Sequence, residues 1–231
     1  ASDVYKRQIL MLGKRLIISG AEATGGANTF ASENFNTVTY TGNGSTQRIG
    51  GYINRGAVFN GSTSYITVDP SPVAQPDSDA DFSLSMFFST EQVPTSGFRT
   101  LISDHNPNSG AQTATLGLLI YGNSSGQHIS LQRAFSGTAY WNSTTTTVHT
   151  TLSANTWYHL AATYKSSNRE AKIYLNGSLL VTYTLSNSYS GVNLASGFSL
   201  GNYYNTSCYY AYNWDGKIDQ FRIFNKILST S

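Results

Sequence analysis

Hydrophobic and polar positions alternate most clearly at Phe82, Leu84, Met86 and Phe88, with Ser83, Ser85 and Ser89 between them. A period of two puts the apolar set on one side of an extended chain. The segment is therefore predicted to be a strand with one buried and one polar face, Phe87 excepted. The same period returns at 157–164, where Tyr158, Leu160, Ala162 and Tyr164 share a face, and at 171–175, where Ile173 and Leu175 do. Asn176-Gly177 follows, and its tolerance of positive φ makes the pair a tight hairpin turn. Runs of β-branched and aromatic residues predict further strands at 37–41, 56–59, 65–68, 98–103, 115–121, 128–133, 145–150, 179–184, 198–201 and 217–224. Turn clusters such as Gly42-Asn43-Gly44, Asn60-Gly61 and Asp69-Pro70 separate them, and 56–59 reads as paired with 65–68. No segment keeps a helical period, so the chain is predicted to be all-β, a two-sheet antiparallel sandwich.

The N-terminal region breaks this pattern. Ala1 to Gln8 reads as a remnant foreign to the domain, which makes 1–10 an extension and Met11 a sensible start. Residues 11–36 read as an arm: Leu12, Leu16, Ile17 and Ile18 are apolar anchors, and 20–36 is rich in Gly, Ala, Ser, Thr and Asn without periodicity. Such an arm is expected to dock on neighbouring protein subunits, leaving 37–231 as the folded domain. Gly13-Lys14-Arg15 interrupts the apolar positions of 9–18, so they form neither a signal-peptide core nor the roughly 20-residue run of a membrane span.

Only 11% of residues are charged while 39% are hydrophobic, so polarity comes from Ser, Thr, Asn and Gly, the residues of turns and solvated strand faces. A formal net charge of +2, with Lys and Arg scattered, argues against a nucleic-acid partner. Cys208 is the single cysteine, which excludes an internal disulfide.

Three patterns occur in order: Ala57-Val58-Phe59-Asn60-Gly61 followed by Tyr65-Ile66; Trp157 to Tyr164 with Ile173-Tyr174-Leu175-Asn176-Gly177; and Gly216 to Asn225 with Leu228-Ser229. Together the trio resembles laminin-G-like domains of the concanavalin A type. The resemblance implies a jelly-roll topology, and Gln220 departs from it, standing where the family commonly has an acid. The family often continues beyond the point matched by Ser231, so the chain is expected to be a piece of a longer protein. Residues 11–18 and 37–49 resemble appendage or decoration proteins of marine bacteriophages, which implies a non-catalytic structural or adhesion module on a virion surface or outside the cell. The alternative is a carbohydrate-binding module of a larger secreted protein.

No enzyme is expected. Retaining glycosidases place two carboxylates about 5 Å apart, on one side of a strand. Asp77, Asp79 and Asp81 alternate but follow Pro70, Pro72 and Pro76 in what reads as a solvated loop. No Gly-x-Ser-x-Gly nucleophile elbow is expected to serve His105, His128, His149 or His159, and His159 reads as a packed strand residue. Calcium is the one cofactor weighed: Asp104 and Asn106 offer oxygen ligands, or form an ordinary Asx turn. Asp219, placed by alternation on the face of Phe221 and Ile223, needs an arginine, backbone donors or a cation. For a ligand such as a cell-surface glycan, Asn202, Tyr203, Tyr204, Tyr210 and Trp214 combine rings with amides, and Trp141 adds a second platform. The competing reading is that half of these rings complete the core or cover sheet edges.

Overall fold

The computed structural model describes residues 15–18, 28–32, 35–43, 46–49, 51–53, 55–69, 81–104, 117–132, 150–184, 198–202, 212–224 and 226–228. The elements are the strands β1 (Arg15–Ile18), β2 (Asn28–Ser32), β3 (Phe35–Asn43), β4 (Thr46–Ile49), β5 (Arg55–Asn60), β6 (Tyr65–Asp69), β7 (Phe82–Thr90), β8 (Gly97–Asp104), β9 (Gly117–Asn123), β10 (Gly126–Gln132), β11 (Tyr158–Lys165), β12 (Glu170–Leu175), β13 (Ser178–Thr184), β14 (Phe198–Leu200) and β15 (Asp215–Phe224). One 3-10 turn, Ser166–Asn168, accompanies them.

Two antiparallel sheets result. The first has eight strands, ordered β13-β12-β11-β7-β15-β5-β4 with β1 added along β15; the second has seven, ordered β10-β9-β8-β14-β6-β3-β2. Because β5 and β6 lie in different sheets, they are not the short pair that their sequences predict. The turn between them carries the chain across the sandwich instead. It is fixed by Asn60, whose Oδ1 accepts the backbone N–H groups of Ser62, Thr63 and Ser64 at 2.9–3.0 Å. Two strands fall within 11–36: β2 pairs with β3, and β1 pairs with β15 of its own chain, Arg15 to Phe224 through Ile18 to Phe221. A polar edge strand held through its backbone leaves no apolar alternation, which is why β2 reads as linker.

The alternating residues of β7 and β11 point into the sandwich. Leu84, Met86, Phe88, Leu160 and Ala162 are fully buried against Leu101, Ile120, Leu131 and Leu200 of the facing sheet. The β11–β12 hairpin pairs Leu160 with Leu175, and its neighbour β13 follows through Asn176-Gly177, with φ of 51° and 80° as a tight two-residue turn requires. In β15 the register slips between Asp219 and Arg222, so Gln220 and Phe221 together oppose Met86. Gln220 takes φ 49°, and this bulge lets both Ile218 and Phe221 face inward although they are three apart.

Candidate binding groove

The face of the eight-stranded sheet turned away from the core carries Ser83, Ser85 and Phe87 on β7, His159, Ala161 and Thr163 on β11, Tyr174 on β12, and Asp219 and Arg222 on β15. Their placement follows from register: Tyr174 lies opposite Ala161, Ala161 opposite Ser85, and Ser85 opposite Arg222. Small side chains at Ser83, Ala161 and Thr163 leave a groove floor, walled by His159, Tyr174 and Leu228. The open pocket there holds about 160 Å³, room for several water molecules. Leu228 is held over the sheet because Ser83 Oγ donates to the Lys226 carbonyl at 2.7 Å and accepts the Leu228 N–H at 2.9 Å.

Aromatic rings continue the groove at one end. Tyr52, half exposed, lies flat on Phe87 with centroids 3.7 Å apart, and meets Trp157 edge-on at 6.1 Å. Phe87 in turn contacts the His159 ring at 4.9 Å. The imidazole Nε2 is 2.9 Å from Ser85 Oγ. Its position is fixed from the backbone side by the hairpin tip: Asn176 N–H donates to the His159 carbonyl and Asn176 Oδ1 accepts the His159 N–H. Burial, and after it the Arg222 guanidinium, hold the imidazole below its ordinary pKa.

Asp219 shows what the β15 bulge changes. The residue is not on the face of Phe221 and Ile223, as plain alternation predicts. It pairs with Phe87 and so faces away from the core, yet it is 1% exposed. The segment 51–53 covers it: Oδ2 accepts the Ile53 N–H at 2.9 Å and Oδ1 accepts the Gln220 N–H at 2.7 Å. Of the three partners expected for this carboxylate, the structure supplies backbone donors.

The other sequence-predicted site residues are dispersed. Trp214 is fully buried, edge-on to Phe88 at 5.7 Å, so its ring completes the core and is not open to a ligand. It is drawn inward because its backbone closes the sandwich, with Trp214 N–H donating to the Gly201 carbonyl and the Trp214 carbonyl accepting the Gly61 N–H. Asn202 is half-buried beside β14, its carbonyl accepting from Ser103 Oγ and its Oδ1 buried without a partner. Asp104 ends β8 opposite Phe198. Trp141, Tyr203, Tyr204, Tyr210 and Asn106 lie outside the described residues. No cluster of three or more His, Cys, Asp or Glu side chains fit to hold a metal occurs among the described residues. Gly122-Asn123-Ser124-Ser125-Gly126 spells a nucleophile-elbow pattern, but it forms the β9–β10 hairpin turn with no helix after it.

The sequence reading missed the groove. Its signal was available: an alternation that buries Tyr158, Leu160 and Ala162 must turn His159 and Ala161 to the other face. A smaller aromatic row lies on the outer face of the second sheet, where Phe98 touches Tyr121 at 4.8 Å and Tyr212 at 5.6 Å, and Tyr121 reaches His128 at 5.9 Å.

Two antiparallel sheets packed face to face define the class of all-β sandwich proteins. The family model for the concanavalin A-like lectin/glucanase superfamily matches residues 60–231, most of the chain, and the protein belongs to that family. Among solved structures, domain 4 of the extracellular arabinanase AbnA from Geobacillus stearothermophilus, in complex with arabinotriose, is 24% identical, with 86% of each chain covered and a TM-score of 0.51. A botulinum neurotoxin type C structure, described with cell entry dependent on two ganglioside molecules, is 14% identical with a TM-score of 0.53; 93% of this chain is covered but 49% of the toxin chain, so the protein spans about half that length. Trypanosoma rangeli sialidase is 12% identical over 99% of this chain and 37% of the enzyme, with a TM-score of 0.55. At these identities the likeness is one of fold. No curated protein sequence matches the chain.

Proposed function

We propose that the domain is a non-catalytic carbohydrate-binding module that lays an oligosaccharide along the outer face of its eight-stranded sheet. One observation carries the reading: a groove floored by Ser83, Ala161 and Thr163 runs beside Tyr174 and His159 toward the rings of Tyr52, Phe87 and Trp157. Rings take the C–H faces of a sugar while hydroxyls and imidazole take its oxygens. The arabinotriose complex of the arabinanase domain, and the dependence of neurotoxin cell entry on two ganglioside molecules, support a saccharide as ligand. Against hydrolysis stands the state of Asp219 and Glu170, two carboxylates on this face. Both Asp219 oxygens accept backbone N–H groups under Tyr52-Ile53, and Glu170 pairs with Lys172 at 2.9 Å, so neither is placed as half of an acid pair. A surface-exposed or extracellular setting fits this role; the virion-associated reading draws on segments 11–18 and 37–49 alone.

The test is calorimetric titration of an oligosaccharide panel against the wild type and Tyr174→Ala, each with calcium and with a chelator. Binding weakened about tenfold or more by Tyr174→Ala is expected, since stacking rings dominate such contacts. Binding indifferent to Tyr174 would place the ligand elsewhere, and a chelator effect would bring Asp104 and Asn106 into the account.

A further inference from the structure

Among the described residues, the groove face holds a charge with no counter-charge. Lys172 is neutralised by Glu170 at 2.9 Å, and Asp219 is satisfied by the Ile53 and Gln220 N–H groups. Arg222, half-buried opposite Ser85, has no carboxylate within ion-pair distance among the described residues. Its guanidinium carries five N–H donors. Among the described residues it makes one hydrogen bond, from Nη2 to Gln220 Oε1 at 2.8 Å, and Nε is buried without a partner there. A partly desolvated cation left this way costs free energy that an anion would recover. Beside it, Ser85 Oγ and His159 Nε2 sit 2.9 Å apart, so two neutral hydrogen-bonding groups adjoin the cation. The row continues across Ala161 to Tyr174, the wall of the groove.

Resting on the carbohydrate-binding reading above, we propose that the saccharide is acidic, with a carboxylate or sulfate group seated over Ser85 between Arg222 and His159. A planar guanidinium suits such an oxyanion because it donates paired, charge-assisted hydrogen bonds. The sugar ring bearing the anion then lies over Ala161 against Tyr174, and the neighbouring rings run toward Phe87 and Tyr52.

The test compares neutral arabino- and galacto-oligosaccharides with oligogalacturonate, sialyllactose and a sulfated oligosaccharide, titrated at low and high salt against wild type, Arg222→Gln, Arg222→Lys and Tyr174→Ala. The acidic sugars are expected to bind the wild type at least about ten times more tightly than the neutral ones, with an advantage that shrinks as salt screens it. Arg222→Gln should abolish the advantage, Arg222→Lys should keep part of it, and Tyr174→Ala should weaken both sugar classes. The uronate, sialyl and sulfated arms distinguish carboxylate from sulfate. Equal, salt-independent binding of neutral and acidic sugars by the wild type would overturn the proposal even if Arg222→Gln failed to fold. If that equal binding were still lost in Tyr174→Ala, the groove would stand and only its acidic preference would fall. If Tyr174→Ala altered neither class, the groove reading itself would fail, and this proposal with it.

Discussion

Replacing Tyr183 by Phe removes one oxygen atom from the seam that joins the two sheets. β13 ends the strand order of the eight-stranded sheet and β10 that of the seven-stranded one, where Thr150 bridges only Gln127 among the described residues. The Tyr183 hydroxyl reaches from the first to the second, accepting the Leu131 N–H at 2.7 Å and donating to the Leu131 carbonyl at 2.5 Å. One phenol thus occupies both backbone groups that an added strand would use at this point of β10, and burial pushes its pKa above the ordinary range. In Tyr183→Phe the ring stays, but the N–H and C=O of fully buried Leu131 lose their partner. An unsatisfied buried polar group costs about 1–3 kcal/mol, so the two together set an expected loss of about 2–6 kcal/mol. For a domain of this size that lowers Tm by roughly 4–24 °C, read by circular dichroism on heating and by urea unfolding. The exposed edge should also raise the tendency to aggregate. A Tm within a degree of wild type, with an unchanged urea midpoint, would refute the claim that this hydroxyl closes the sandwich.

Trp214→Ala should cost about 3–5 kcal/mol in urea unfolding, because a fully buried indole packed on Phe88 leaves a cavity. Any folded fraction should keep its sugar affinity; selective loss of binding at unchanged stability would return Trp214 to the ligand site. The His159 pKa is lowered in the folded state, so the unfolded chain binds the extra proton first as pH falls. Its contribution to stability is therefore complete above about 6.5, the unfolded value, and is lost as pH falls from there through the folded pKa. Urea midpoints measured across that range should decline in wild type and decline less in His159→Gln; parallel declines would remove His159 as the cause.

The sequence by itself determined the all-β class, most of the strand positions and the β11–β12–β13 ribbon, because these depend on local chemistry. A period of two needs no partner to be read, and Asn-Gly needs only its own backbone to turn. The same alternation fixed which residues of β7 and β11 enter the core, and by subtraction which ones leave it. Where pairing is non-local, the sequence fell short. Nothing near Asn60 announces that β5 and β6 part to opposite sheets, and nothing near Asp219 announces that a bulge moves it to the other face from Phe221. Trp214 reads as one ring in an aromatic tract, and it goes inward only because its backbone bonds to Gly201 and Gly61 across the sandwich. The groove is decided by tertiary structure for the same reason. Ser85, Arg222 and the hairpin pair Ala161–Tyr174 are far apart in the chain, and strand register sets them in one row, since each side chain's neighbours on a sheet come from other strands.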